Sequence, residues 1–141
     1  MLYCFSMEVF LLSKEELKIR LLSDLSQINM PVDEVDLFIR PFSKTFYGRY
    51  YPVFNDNKDK PKVYIYPYEN EQEDLMRYDT IFQTAIHELC HHIQYTSDSY
   101  VRIKGVMHDT NFWKLYNHYV NRAIKYQLIG GETSEKTVRP C

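Results

Sequence analysis

The sequence predicts an α+β domain: an N-terminal helix, a small, mostly antiparallel sheet of about three strands, and then two more helices. Apolar residues recur at helical spacing near the start and over the last third, whereas the middle third carries short aromatic and β-branched runs bounded by turn residues. This order of elements is typical of α+β domains. With 141 residues the chain has room for one domain, which we place at 1–129, followed by a flexible tail at 130–141.

The composition is that of a globular protein, with 45% apolar and 26% charged residues, and excludes disorder or coiled coil for the whole chain. A net charge of −2 gives no whole-molecule field that would attract nucleic acid or a membrane. No stretch approaches the roughly 18 uncharged apolar residues of a membrane span. The cysteines are odd in number and widely spaced, at Cys4, Cys90 and Cys141. We therefore expect a reduced, cytoplasmic protein without a secretory signal or a membrane partner.

The first helix is predicted to begin after Ser13, preceded by a short extended segment at 1–12. Ser13 and Glu16 have the spacing of a capping box. The residues that then recur on one helix face are Leu17, Leu21, Leu25 and Ile28. The Asn-Met-Pro sequence at 29–31 is predicted to end the helix, because proline cannot continue it.

Three strand-like runs follow, at 35–40, 46–53 and 62–66, and each ends at a proline or a turn cluster. The second and third runs lie close enough in sequence to form an antiparallel hairpin.

The last third is predicted to contain two helices, one from about 75 or 79 to 96 and one from about 109 to 128. Gly130 and Gly131 are predicted to end the second. Its apolar residues at helical spacing indicate a face that docks on the preceding helix rather than a substrate pocket: Phe112, Trp113, Tyr116, Tyr119, Val120, Ala123 and Ile124.

The motif at 87–91, His-Glu-Leu-Cys-His, is the part of the sequence that points to a chemistry. Two histidines four residues apart project from one side of a helix, so both imidazoles can bind one tetrahedral metal ion. Glu88 lies about 100° round the helix from His87, too far for a natural third ligand but well placed to take a proton from a water held on the metal. Chance would give this pattern roughly 0.01 times in such a chain. The alternative is two surface histidines, His87 and His91, on an ordinary amphipathic helix.

A catalytic zinc site needs a third protein ligand and an open position. We favour His108, because it lies just before the last helix, after a glycine-containing loop that lets it reach back over the first two histidines. His92, His118 and carboxylates are the alternatives, although His92 points about 100° away from His91. Asp109 is expected to cap the last helix, with orientation of a histidine ligand as its alternative role.

These residues resemble the motifs of the SprT-like zinc metallopeptidases, over roughly 14–125. The resemblance implies a minimal zincin-like domain that holds one Zn²⁺ through His87, His91 and His108. It also implies that Glu88 is the general base of a metalloendopeptidase that hydrolyses protein or peptide substrates. The third family motif is usually His-Gly-x-x-Phe, and here Asp109 replaces the glycine.

The resemblance further implies DNA as a partner, since better-known members of the family are linked to DNA. This chain lacks the paired cysteines of a C-terminal zinc ribbon, and its Lys and Arg residues are scattered along the sequence. The alternative function is therefore a non-catalytic, zinc-stabilised binding module associated with DNA. The intact Glu88 favours the peptidase, because a structural metal site does not need it.

An extended peptide substrate can pair with the exposed edge of a strand. The strand nearest in sequence to the metal helix is predicted to supply this edge, through Val63, Tyr64, Ile65 and Tyr66. An interior or covered strand is the alternative for this run.

Overall fold

The computed structural model describes residues 12–53, 59–97 and 107–130, and these residues have the predicted α+β architecture. The predicted extended segment at 1–12 and the predicted tail at 130–141 lie almost wholly outside the described residues. The described elements, in chain order, are α1 Lys14–Gln27, a 3₁₀ turn Val32–Glu34, β1 Asp36–Ile39, β2 Gly48–Tyr51, β3 Lys62–Ile65, α2 Tyr78–Thr96 and α3 Thr110–Lys125.

Helix α1 begins with the predicted capping box. The Ser13 hydroxyl accepts a hydrogen bond from the Glu16 backbone N–H, and the Glu16 carboxylate accepts one from the Ser13 N–H, both at 3.1 Å. The helix ends through Asn29, whose φ of 64° is left-handed. This turn lets the Met30 N–H donate to the Leu25 carbonyl oxygen at 3.1 Å. Asparagine therefore reverses the chain before the proline that follows.

The described strands form one mixed sheet in the order β1–β3–β2. Strands β2 and β3 pair antiparallel, as the hairpin pattern predicts, with Gly48 opposite Ile65. Strand β1 pairs with β3 in parallel, with Leu37 opposite Val63. One of the two strand pairings is thus parallel. The stretch of chain between β1 and β3, which contains β2, is long enough for β3 to lie beside β1 and run in the same direction.

The core lies between the inner face of the sheet and the helices. Helix α2 contacts β2 and β3 on one side and α3 on another. Its most deeply buried residues, each at most 1% exposed, are Ile81, Phe82, Ala85, Ile86, Glu88, Leu89 and Cys90. Burial raises the pKa of the Cys90 thiol, which is therefore a neutral, packed group. No helix in the described ranges combines the length and the apolarity needed to cross a membrane.

Helix α3 docks on α2 through the predicted face, with Phe112 and Ala123 fully buried. Asp109 is its N-cap, as predicted: the carboxylate accepts a hydrogen bond from the Phe112 N–H at 2.8 Å. The prediction that the glycine pair ends this helix is wrong. Gln127 adopts a left-handed φ of 60°, and the Leu128 N–H donates to the Ala123 carbonyl oxygen, so the helix ends earlier.

Candidate metal centre

The structure brings together the three histidines predicted as ligands. His87 and His91 lie one turn apart on the same side of α2, and the segment before α3 brings His108 against them. The His108 Nε2 atom lies 3.1 Å from the Nε2 atom of His87 and 3.1 Å from that of His91. The three imidazoles therefore direct the same ring nitrogen toward one point.

This donor set fits a zinc ion. Tetrahedral ligands at the usual zinc–nitrogen distance lie roughly 3.3 Å from one another, close to the two Nε2–Nε2 distances of this cluster. A neutral imidazole protonated on Nδ1 has a lone pair on Nε2, so three Nε2 atoms directed at a single point can offer three lone pairs to one cation. The side chains that would hold the ion are His87, His91 and His108.

The environment of His87 favours the form that binds metal. Burial of the imidazole, followed by the nearby His91 and His108 rings, lowers the pKa of His87 to about 3. A histidine ligand must be neutral to coordinate a metal. Metal binding near neutral pH therefore does not have to displace a proton from His87.

Helix α3 holds the three imidazoles in place through aromatic contacts. The Phe112 ring stacks on His91, with centroids 4.7 Å apart, and meets His87 edge-on at 4.8 Å. The Trp113 ring lies 5.7 Å from the His108 ring. The aromatic face of α3 is thus core, as predicted, and at the same time one wall of the histidine cluster.

Glu88 lies on a different side of α2, facing β2, and is 1% exposed. A Cβ atom added to Gly48 would lie 2.9 Å from Glu88 Cγ and 3.1 Å from Glu88 Oε2. The missing side chain at residue 48 therefore provides the space that the glutamate occupies. Glu88, the predicted general base, thus follows His87 directly in sequence, but its side chain packs against the sheet.

His92, the nearest alternative ligand, belongs to a separate hydrogen-bonded group. Its Nδ1 atom lies 2.7 Å from the Tyr50 hydroxyl, and its Nε2 atom lies 2.8 Å from the Glu34 carboxylate. Burial raises the pKa of Tyr50, so the neutral hydroxyl can donate to Nδ1 while the Nε2–H donates to the carboxylate. Both ring nitrogens are used, and His92 is not part of the cluster. His118, the other alternative, is exposed on α3.

Sequence reasoning did not single out Tyr50 or Glu34. The signal for Tyr50 was present in the alternation of the strand, because residues two apart point to the same face of a sheet. Tyr50 therefore joins Gly48 on the side that faces α2. No local signal could identify Glu34, because its contact with His92 spans 58 positions of the chain.

The prediction that Val63, Tyr64, Ile65 and Tyr66 supply a substrate-binding edge is wrong. Strand β3 is the central strand, and its backbone pairs with β1 on one side and β2 on the other. The Val63 and Ile65 side chains are fully buried. Proximity in sequence to α2 is a poor guide here, because the strand packed against Glu88 is β2, at one edge of the described sheet.

Comparison of the chain with protein-family models, with curated proteins and with solved structures found no match. The resemblance to the SprT-like metallopeptidases therefore rests on the motif residues themselves. What stands from the geometry is a cluster of three histidines able to hold a metal ion, with a buried glutamate on the same helix.

Proposed function

We propose that the chain is a zinc metalloendopeptidase of the SprT-like kind, with His87, His91 and His108 as zinc ligands and Glu88 as general base. The observation that carries the proposal is the convergence of three imidazoles at a helix that also carries a buried carboxylate, Glu88. A structural zinc site is usually closed by four protein ligands, whereas a catalytic one has three and an open position. Within the described ranges, the cluster contains the three histidines and no fourth histidine, cysteine or carboxylate.

A bound zinc ion would polarise the substrate carbonyl and make water a better nucleophile near neutral pH. Glu88 takes one proton from the attacking water and passes it to the departing amine. The carbonyl carbon gains the hydroxyl group, and the peptide C–N bond breaks. A purely structural metal site would have no use for a carboxylate buried at this position.

The substrate that best fits this site is an extended segment of protein, and β2 is the edge strand beside the candidate base. The Tyr66 N–H donates to the Tyr47 carbonyl oxygen at 2.9 Å. In the alternating pattern of an antiparallel pair, the backbone groups of Gly48 and Tyr50 then point away from β3. A peptide adding to this edge would be held by main-chain hydrogen bonds.

The proposal is tested with zinc binding and hydrolysis measured on the same preparations. We expect the metal-stripped chain to take up one zinc ion in competition with a chelating dye, and the loaded chain to cleave fluorescein-labelled casein. Glu88→Gln should bind zinc with similar affinity and show no cleavage. A folded chain that takes up no zinc, or a Glu88→Gln variant that cleaves as well as the original, would contradict the proposal. The cytoplasmic location predicted from the sequence belongs to the same proposal.

A second candidate function is the binding of single-stranded nucleic acid, and the outer face of the sheet favours it. Phe38, Tyr64 and Arg49 form one row across the three strands, with the two rings 5.6 Å apart. The Arg40 guanidinium lies 5.2 Å from the Tyr64 ring, and Arg49 lies 5.0 Å from the Tyr51 ring. Aromatic rings among cations can stack on bases while the cations contact phosphates. The strands thus gather cations that are scattered in the sequence.

This second function is tested by the fluorescence anisotropy of a labelled oligothymidine at several salt concentrations. Binding that weakens with salt and is lost in Tyr64→Ala, but is kept in Glu88→Gln, would support it. An unchanged anisotropy at low salt would remove the candidate and leave the peptidase proposal unaffected.

A further inference from the structure

We propose that β2 positions Glu88 for catalysis: Gly48 provides the space for the Glu88 side chain, and a hydrogen-bonded chain of Tyr50, His92 and Glu34 fixes the strand on α2. The inference rests on the proposed role of Glu88 as general base. It assigns positioning roles to four residues outside the five-residue metal motif: Gly48, Tyr50, His92 and Glu34.

The first support is the fit between Gly48 and α2. An added Cβ atom would lie 2.8 Å from Thr84 Cγ2 and 2.9 Å from Glu88 Cγ, distances that Cβ atoms essentially never show. The backbone at Gly48 is not in the left-handed range, so the glycine is required here by space and not by conformation. Because Cγ carries the carboxyl group, a shift of the Glu88 side chain that relieves this contact also moves the carboxylate.

The second support is the hydrogen-bonded chain one helical turn further on. Tyr50 lies on the same face of β2 as Gly48, and His92 lies one turn after Glu88 on α2. The Tyr50 hydroxyl, the His92 ring and the Glu34 carboxylate are joined by contacts of 2.7 and 2.8 Å. His92 is 2% exposed, so these bonds are shielded from competing water on the imidazole side. The chain ties β2, α2 and the 3₁₀ turn together.

The arrangement separates two tasks of the site. Proton transfer requires the base within hydrogen-bond reach of its water, and a misplacement of about 1 Å can cost around 100-fold in rate. The metal ligands depend instead on the contacts of α3 with His87, His91 and His108. A change at β2 should therefore alter the rate of the chemical step without altering metal affinity.

The first experiment compares Gly48→Ala with a matched control, Gly130→Ala. At Gly130 an added Cβ atom would have Asp79 Oδ2 as its nearest contact, at 3.4 Å, which is an ordinary distance. We expect Gly48→Ala to lower kcat for casein cleavage about 10- to 100-fold, with KM and zinc affinity within about two-fold. Gly130→Ala should leave all three values unchanged.

A rescue variant separates positioning from general damage to the fold. Thr84→Ser removes the Cγ2 atom that the new methyl group would meet first, so Gly48→Ala with Thr84→Ser should recover part of the lost kcat. A Gly48→Ala variant with unchanged kcat, or one whose zinc affinity falls in parallel with kcat, would overturn the inference.

The second experiment does not depend on peptidase activity. Gly48→Ala should lower the midpoint of urea unfolding, and the shift should be smaller when Glu88 is already alanine, because the clashing Cγ atom is gone. Equal shifts in the two backgrounds would overturn the placement of Glu88 against Gly48. Unequal shifts in a chain that cleaves no substrate would support that placement and count against the peptidase proposal alone.

Discussion

The two sides of α2 that form the candidate site are supported by different parts of the chain. On one side, His87 and His91 lie against the aromatic residues of α3, which follows in sequence. On the other side, Glu88 lies against β2, which precedes α2. Neighbouring residues of one motif thus depend on distant and separate elements. The placement of the two histidines and the placement of Glu88 therefore rest on separate contacts.

The two supports also differ in chemistry. The ligand side is enclosed by rings, and the resulting loss of solvation keeps His87 neutral. The base side is held by steric fit at Gly48 and by hydrogen bonds through His92. Aromatic enclosure suits groups that must stay uncharged, whereas a directed hydrogen-bond chain suits a group whose position must be fixed.

The largest effect is expected from removing the α3 support. Phe112 is fully buried and its ring contacts all three imidazoles, so Phe112→Ala should lower the free energy of unfolding by about 3–5 kcal/mol. It should also weaken zinc binding. Val120→Ala, on the same helix, should lower stability less and leave zinc affinity unchanged, as measured by urea titration and dye competition. Equal zinc affinity in both variants would show that α3 does not order the ligands.

The next largest effect is expected from removing His108, the proposed third ligand. His108→Ala should weaken zinc binding by about 100-fold, equivalent to about 2.7 kcal/mol, because two imidazoles alone hold the ion poorly. The control is His118→Ala, which removes an exposed histidine from α3. Unchanged affinity in the His108 variant would move the third ligand elsewhere.

Unfolding of the metal-free chain at several pH values tests the lowered pKa of His87. The pKa of His87 is lowered from 6.5 to about 3 on folding, so the unfolded chain binds the proton more readily between these values. This group should leave stability unchanged above pH 6.5 and reduce it as the pH falls toward 3, by about 2 kcal/mol at pH 5. Urea titrations at pH 7.5, 6 and 5 should show a shallower loss in His87→Gln. Parallel curves for the two proteins would refute the shifted pKa.

The smallest effect is expected on the side of α2 that carries Glu88. Tyr50→Phe removes one hydroxyl from the chain that holds β2 on α2, and should cost about 1 kcal/mol of stability with zinc affinity unchanged. Tyr126→Phe is the matched control, since that tyrosine is exposed after the end of α3. A loss of zinc affinity in Tyr50→Phe would show that the two sides of α2 are not independent.

The parts of this protein that could be predicted from sequence are those set by local periodicity. The capping box of α1 and the shared side of His87 and His91 follow from spacings of three and four residues, and the hairpin of β2 and β3 follows from two strand-like runs close together in sequence. His108 was identified because a loop length and a following helix limit where a ligand can reach. Each of these features needs only a short window of sequence.

The parts that could not be predicted depend on contacts between distant elements. Strand order decides which strand is central, and nothing in the run that forms β3 distinguishes a middle strand from an edge. The gathering of Arg40 and Arg49 on one sheet face also depends on that order. Gly48 gives a partial signal, because a glycine inside a strand often marks the close approach of another group. Its partner Glu88 is visible only in the folded chain.

The position of His108 has a consequence for how the protein is made. A ribosome releases β2 and the whole of α2 before it releases the third histidine, so a nascent chain already contains Glu88, His87 and His91. A domain generally folds as a unit, so its last helix must leave the ribosome before the fold is complete. The cluster of three imidazoles can therefore close only after α3 has emerged and docked. The proposed zinc site would thus be complete only at the last step of folding, when the rest of the domain is in place.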